Sequence, residues 1–294
     1  MSDPIPDLYC VSSEFDEFQF YIGSLASMHT TEDTNNSIYE IHRFSYYTMM
    51  LITEGEGWHY IDYENYFLKK GSFILIAKNQ IQKFEKNSKM KGIVVLFSDN
   101  FLQKNLNHTH LKNHVNIFNY HINKPLLNLD DRSYNDLLGL IERINFEYNI
   151  DQDEMKGKII GTFLNALLLK TERISREKRT SFEQHKYYEQ FKEFGNLLEK
   201  GLINNKNAKF YAEAMNISYK HLNEVCKAIS NKTAKEFISY FLVLEIKRYL
   251  SSTNLSVKEI AYRFGFDEPT NLQKIFKRET GNTAMGFKRL TLNQ

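Results

Sequence analysis

The sequence is poor in the residues that mark a disulfide-stapled, metal-bound or membrane-embedded chain. It holds only two cysteines, Cys10 and Cys226, too few and too far apart for a disulfide framework or a zinc cluster. No run of 18 consecutive apolar residues occurs, and the opening MSDPIPDLYC has no basic segment ahead of an apolar one. Neither a membrane span nor a secretory signal is expected, and the expected compartment is cytoplasmic. Histidines are scattered: His59 stands alone in its stretch, and none follows until His108. A metal-dependent enzyme on a β-scaffold needs imidazoles and carboxylates in a cluster, commonly two His one residue apart. His59 therefore reads as a strand histidine with an ordinary hydrogen-bonding role. No Ser/His/Asp order, Gly-rich phosphate loop or paired carboxylates at helical spacing is present either. The expectation is a protein with no catalytic residue, no metal and no cofactor, and an enzyme is the least favoured class.

What the chain does have is core material and an uneven charge. Over 294 residues it is 42% hydrophobic and 14% aromatic, enough for two globular domains. The overall charge of +2 hides an asymmetry. Residues 186–294 hold 18 Lys and Arg against 11 Asp and Glu, a net +7, which leaves −5 for residues 1–185. A polyanion would prefer the C-terminal part, although a modestly basic solvated surface has the same composition.

The texture changes along the chain. Residues 39–98 alternate apolar and polar positions between turn residues: YYTMMLI, TEGEG, WHYIDY, EN, YFL, KKG, SFILIA. This predicts short antiparallel strands in a sandwich or barrel. After Pro125, Leu137, Ile141, Ile144 and Tyr148 fall at helical spacing, as do Ile159, Ile160, Phe163, Leu164, Leu167 and Leu168. These predict helices at 133–148 and 155–173, within a helical stretch of about 126–173. The polar segment SREKRTSFEQHK (175–186) reads as a linker. The predicted domains are 1–180 and 181–294.

Residues 208–288 contain an internal repeat. Ala212 aligns with Ala261, Met215 with Phe264 and Ile217 with Phe266 at an offset of 49; Leu222 with Leu272, Val225 with Ile275, Cys226 with Phe276, Asn231 with Gly281, Thr233 with Thr283 and Phe237 with Phe287 at an offset of 50. Each copy reads as helix, tight turn, helix, at about 208–230 and 257–280. In the second, Ser256 and Glu259 make a capping-box signature, Gly265 suits a helix-ending positive φ, and Pro269 suits the first position of the next helix. That helix buries Leu272, Ile275 and Phe276 and leaves Thr270, Asn271, Gln273, Lys274, Lys277 and Arg278 outside. In the first copy Ser218 is placed to cap, and the outward face is Tyr219, Lys220, His221, Asn223, Glu224 and Lys227. Such faces carry the donors and acceptors that read base edges in the major groove. Either copy alone reads better as an ordinary helical hairpin with a solvated polar face; the duplication shifts the balance to DNA. Between them, Ala234 to Ser251 predicts one helix of about 27 Å, near the roughly 34 Å between successive groove faces.

These residues, above all SVKEIAYRFGFDEPTNLQKIFKRETGNT, resemble the DNA-binding domain of the AraC/XylS family of bacterial transcription regulators. The resemblance implies a seven-helix domain with two bridged helix-turn-helix units, promoter double-stranded DNA as partner, and contact with RNA polymerase. Ala284 stands where the family usually has Pro, Asn231 where it often has Gly, and Cys226 at a usually aromatic core position. Asn accepts a left-handed φ, and a buried Cys acts as a small hydrophobe.

The N-terminal strands, HRFSYYTMMLITEGEGWHYIDYENYFLKKGSFILIAKNQIQKF, resemble the cupin-like effector domain of the same family, with dimerisation helices following. The whole is thus an α+β, two-domain chain: an antiparallel β-barrel with trailing helices, then an all-α domain. Tyr47, Met49, Trp58, Tyr60, Phe73, Leu75 and Phe84 are candidates to line a pocket for a small-molecule effector, with plain core as the even alternative. A domain that only dimerises, without a ligand, also remains open. Ile160, Leu164, Leu167 and Leu168 are candidates for a homodimer interface, or for burial within the monomer.

Overall fold

The computed structural model describes residues 18–29, 38–86, 89–106, 115–120, 123–151, 153–178 and 187–292. Contacts divide them into two compact units, one up to residue 178 and one from 187 on.

The first unit is built on nine strands, β1 (Phe20–Ser24), β2 (His42–Arg43), β3 (Tyr47–Glu54), β4 (Glu56–Ile61), β5 (Glu64–Lys69), β6 (Ser72–Ile76), β7 (Ile81–Phe84), β8 (Lys91–Phe97) and β9 (Leu126–Asn128). They form two antiparallel sheets, ordered β1-β8-β3-β6-β9 and β2-β7-β4-β5. Three helices follow or interleave: α1 (Asp99–Asn105), α2 (Asp131–Tyr148) and α3 (Lys156–Lys178).

Two apolar layers hold this unit together. Met50, Ile52, Ile74, Ile76, Val94 and Leu96 of the five-stranded sheet meet Ile61, Leu68 and Phe84 of the other sheet. The alternate residues of the same strands, Met49, Leu51, Phe73, Leu75, Val95 and Phe97, face Leu137, Ile141 and Ile144 of α2 and Ile160, Leu164 and Leu167 of α3. Because both faces of the five-stranded sheet are covered, β3 and β6 are buried almost without interruption, as sheets covered on both sides require. Strict alternation survives in β4, whose outer face is open.

One predicted turn is displaced. The hairpin between β4 and β5 bends at Asp62 and Tyr63, both with positive φ (45° and 73°), rather than at Glu64–Asn65, which lie in β5. A two-residue hairpin loop favours left-handed φ at both positions. The Asp62 carboxylate secures the bend by accepting from Gln80 Nε2 at 2.7 Å and from the Ile81 N–H at 3.3 Å. Likewise, residues 175–178 of the predicted linker belong to α3. Ile174 and Ser175 are buried there, so packing prolongs the helix beyond its amphipathic run.

The second unit has seven helices: α4 (Tyr188–Gly201), α5 (Ala208–Ala214), α6 (Tyr219–Ser230), α7 (Ala234–Ser252), α8 (Val257–Arg263), α9 (Pro269–Thr280) and α10 (Ala284–Leu292). Helix α7 has 19 residues, and at 1.5 Å each it spans about 28 Å. It is apolar nearly all round because helices pack on every side: α5 and α6 from one unit, α8, α9 and α10 from the other. Phe191 and Phe194 of α4 meet Phe237 of α7 at ring separations of 4.9 and 5.7 Å. Among the described residues no helix is long and apolar enough to cross a membrane.

Candidate nucleic-acid interface

The repeat seen in sequence is a repeat in backbone. Helices α5 and α8 each have seven residues, and α6 and α9 each have twelve. The turn after α5 places Asn216 at φ 55°, and the turn after α8 places Gly265 at φ 67°. In both, the N–H three residues beyond the helix returns to the equivalent carbonyl: Ile217 to Ala212 and Phe266 to Ala261, each at 3.0 Å. Helices α6 and α9 end on left-handed residues, Asn231 at φ 57° and Gly281 at φ 75°. Asn231 thus occupies the glycine position by adopting the conformation that asparagine tolerates.

The caps are those the sequence marked. Ser218 Oγ accepts from the His221 N–H at 3.1 Å, and Ser256 Oγ from the Glu259 N–H at 3.2 Å. Glu259 closes the box by accepting from the Ser256 N–H at 2.7 Å. The Ser256 hydroxyl, donating to the same carboxylate at 2.7 Å, together with the Ser256 N–H holds that carboxyl below the usual glutamate range. Thr233 and Glu236 cap α7 in the same way. Glu268 makes no side-chain cap; Pro269 at the first helical position needs no N–H partner there.

The inner face of each unit is dry. Leu222, Val225 and Cys226 of α6 are fully buried, as are Leu272 and Phe276 of α9. Burial pushes the Cys226 thiol up to about 12, so it acts as a hydrophobe and not as a nucleophile.

The outer faces differ. On α9, Thr270, Asn271, Gln273, Lys274, Lys277 and Arg278 are all exposed. Arg278 is also braced: it donates to Glu279 Oε1 at 2.7 Å and to Ser239 Oγ on α7 at 3.3 Å. On α6, Tyr219, Lys220, Glu224 and Lys227 are exposed, but two expected readers serve the fold. Asn223 is engaged at both ends of its amide: Nδ2 donates to the Tyr219 carbonyl at 3.1 Å, and Oδ1 accepts from the Ala234 N–H at 3.0 Å. His221 reaches back to α4, with Nε2 at 3.1 Å from Gln190 Oε1 and its ring edge-on to Tyr187. Sequence reasoning passed over Gln190, Tyr187 and Ser239 because their roles depend on helices packed from elsewhere in the chain.

The expected effector-pocket residues do not converge. Tyr47, Met49, Phe73 and Leu75 lie between the five-stranded sheet and its helices. Phe84 lies between the sheets, stacked on His59 with ring centroids 4.0 Å apart. Trp58 is on the open side of the other sheet, 46% exposed against Phe67, and Tyr60 shares that side by strand alternation. Three separate environments do not line one pocket. The expected dimer residues are corrected as well: Ile160, Leu164, Leu167 and Leu168 are at most 1% exposed within the monomer. Their wide apolar face is spent on the sheet and on α2, leaving nothing for a second chain. Among the described residues no three His, Cys, Asp or Glu side chains gather as a metal ion requires.

Two antiparallel sheets joined to a tandem helix-turn-helix domain define a class, the two-domain transcription regulators that pair an effector-binding half with a DNA-binding half. Residues 25–156 match the AraC-like ligand binding domain, and residues 211–289 match a helix-turn-helix domain. The chain belongs to the AraC family of DNA-binding transcription regulators. No curated protein matches it in sequence. Among solved structures it is similar to unsaturated-fatty-acid-bound ToxT from Vibrio cholerae, at 14% identity over 92% of this chain and 94% of that one, with a TM-score of 0.43. It is also similar to the C-terminal domain of the response regulator yesN from Fusobacterium nucleatum, at 18% identity over 32% of this chain and 93% of that one, with a TM-score of 0.30. The assignment rests on the two family models.

Proposed function

We propose that α6 and α9 enter successive major-groove faces of one promoter duplex, so that a single chain reads two half-sites. The observation that carries this reading is the pairing of two helices of equal length, each ending on a left-handed residue, with a 19-residue helix between their units. Asn271, Gln273 and Lys274 supply base contacts from α9, with Thr270 beside them; Lys277 and Arg278 hold phosphates. Tyr219, Lys220, Glu224 and Lys227 do the corresponding work from α6, and Asn223 and His221 position that helix. A basic face against DNA confers affinity, and amide groups against base edges confer selectivity.

The domain boundary is placed near residue 180, with a small-molecule effector bound in 1–180. The effector acts by favouring one arrangement of the chain over another. Copies pair through the outer sides of α2 and α3, where Phe146 and Leu169 are exposed, and light scattering reads that state as a dimer mass. The regulator works in the cytoplasm, with RNA polymerase as a further partner, and performs no catalysis.

Selection of binding sites from a random duplex library with the full chain, with and without added metabolites, tests the reading. Two half-sites about 10 base pairs apart are expected. A single short motif, indifferent to Lys220→Ala and Lys227→Ala, would remove α6 from the interface.

A further inference from the structure

We propose that the open edge of the four-stranded sheet pairs with the same edge of a second copy of this chain, β5 running antiparallel to β5 with Phe67 opposite the partner's Phe67. This surface is separate from the helical one named above. Helices α2 and α3 cover the five-stranded sheet, whereas β5 closes the other.

The order β2-β7-β4-β5 gives β5 a neighbour on one side only. Backbone direction along the hairpin follows from β4. The Trp58 carbonyl accepts from the Glu85 N–H at 3.1 Å, on the β7 side. Hydrogen-bonded pairs alternate along an antiparallel ladder, so Gly57, His59 and Ile61 turn to β5 and bond to Leu68, Tyr66 and Glu64. Asn65, Phe67 and Lys69 therefore turn their N–H and C=O groups away from β4. The Lys69 N–H is taken by Ser72 Oγ at 3.0 Å. Among the described residues, the outward groups of Asn65 and Phe67 bond to no other segment. Such an edge is ready to accept another strand unless a proline or a bulge guards it. β5 contains no proline, and its register with β4 is unbroken from Glu64 to Lys69.

The side chains at this edge are apolar on both faces. On the outer face Phe67 pairs with Trp58, rings edge-on at 5.2 Å, and the two are 42% and 46% exposed. On the inner face Tyr66 and Leu68 belong to the layer between the sheets.

A second copy fits because the strand is complementary to itself. Directly opposed residues share a face of the sheet, so a two-fold axis through β5 is centred on Phe67 or on Tyr66. Centred on Phe67, the two Phe67 residues exchange N–H and C=O groups, and each Asn65 N–H reaches the carbonyl of the partner's Lys69. Trp58 and Phe67 then continue into the partner's Phe67 and Trp58 as one aromatic row, and Tyr66 opposes the partner's Leu68. Glu64 stands against the partner's Lys70, and both side chains are exposed. Centring on Tyr66 sets Phe67 against Asn65 and Glu64 against Leu68, which loses the aromatic row and the charge pairs together. The backbone would accept any strand; the side chains match this one.

The test is light scattering of the full chain over a dilution series, read at its concentrated end because a strand-edge contact is small. Wild type is expected to reach at least about twice the mass of Phe67→Lys, in which two ammonium groups oppose each other across the axis. Phe67 is exposed, so an unchanged Tm shows that the variant folds. Asn65→Pro, which removes an outward N–H and no bond to β4, should give the same low mass, as should Phe67→Glu. Mixing Phe67→Lys with Phe67→Glu is expected to regain the wild-type mass, since residue 67 faces itself. Equal masses for wild type and Phe67→Lys overturn the proposal, and a mixture that stays at the low mass overturns it too. Pairing through α2 and α3 is common to all these chains and cancels from the ratio. The measurement needs no DNA, so its failure is distinct from failure of the promoter-binding reading.

Discussion

At the residue scale, an outward-facing polar side chain on a recognition helix has two employers, the DNA and the fold. Gln273 is exposed and Lys277 lies one turn beyond it on α9. Gln273→Ala is expected to relax preference at one base position by about 1–3 kcal/mol, measured by repeating the site selection. Lys277→Ala is expected to weaken all sequences alike and to lower the slope of log affinity against log salt by about one. Asn223 behaves differently because it holds the first N–H of α7. Asn223→Ala is expected to lower unfolding stability by roughly 1 kcal/mol while the selected motif stays the same; a changed motif would return it to the readers. In the N-terminal domain, buried His42 titrates near pH 4 in the folded chain against 6.5 when free. Between those values the unfolded chain binds more protons, so stability falls as pH drops from about 6.5 through 4. The loss is on the order of 3 kcal/mol for this group, and His59, pushed down by burial and by His42, adds to it. Urea unfolding at pH 7 and pH 4.5 measures the difference, and His42→Gln should reduce it.

At the element scale, the two left-handed glycines of the second helix-turn-helix unit differ in how tightly each is enclosed. Gly265 and Gly281 both have positive φ, yet a Cβ on Gly265 would stand 2.9 Å from the Ile203 carbonyl, whereas one on Gly281 meets nothing within 4 Å. Gly281→Ala is expected to cost about 1 kcal/mol from backbone strain alone. Gly265→Ala should cost more, because the carbonyl must also move, and the order of the two midpoints in denaturant melts checks this. Much at this scale was legible in the sequence: Ser218 and Ser256 are local signals, and local geometry decides helix starts. The bend at Asp62–Tyr63 was not, because Asp62 is stabilised by Gln80 and Ile81, eighteen and nineteen residues on. Nor was the unbroken burial of β3, which depends on α2 and α3 covering the second face of its sheet.

At the scale of the molecule, one buried helix sets the relation between the two recognition helices. Helix α7 is packed by both units along its length, so its span is fixed and the DNA must match it. Inserting five base pairs between half-sites turns one half-site to the opposite side of the duplex. Affinity is expected to fall to that of a single half-site, and ten base pairs should not restore it, since α7 cannot lengthen; gel-shift titration of the spacing series measures both. The sequence by itself determined the two-domain division of composition and charge, the duplicated unit, its caps and the cationic face of α9. All of these are patterns that neighbouring residues and fixed helical periods express locally. Only the tertiary structure decided which exposed-looking side chains are free. Asn223 and His221 are taken up by α7 and α4, and Ile160 and its neighbours by the sheet. Each depends on contacts between distant segments, which no local pattern encodes.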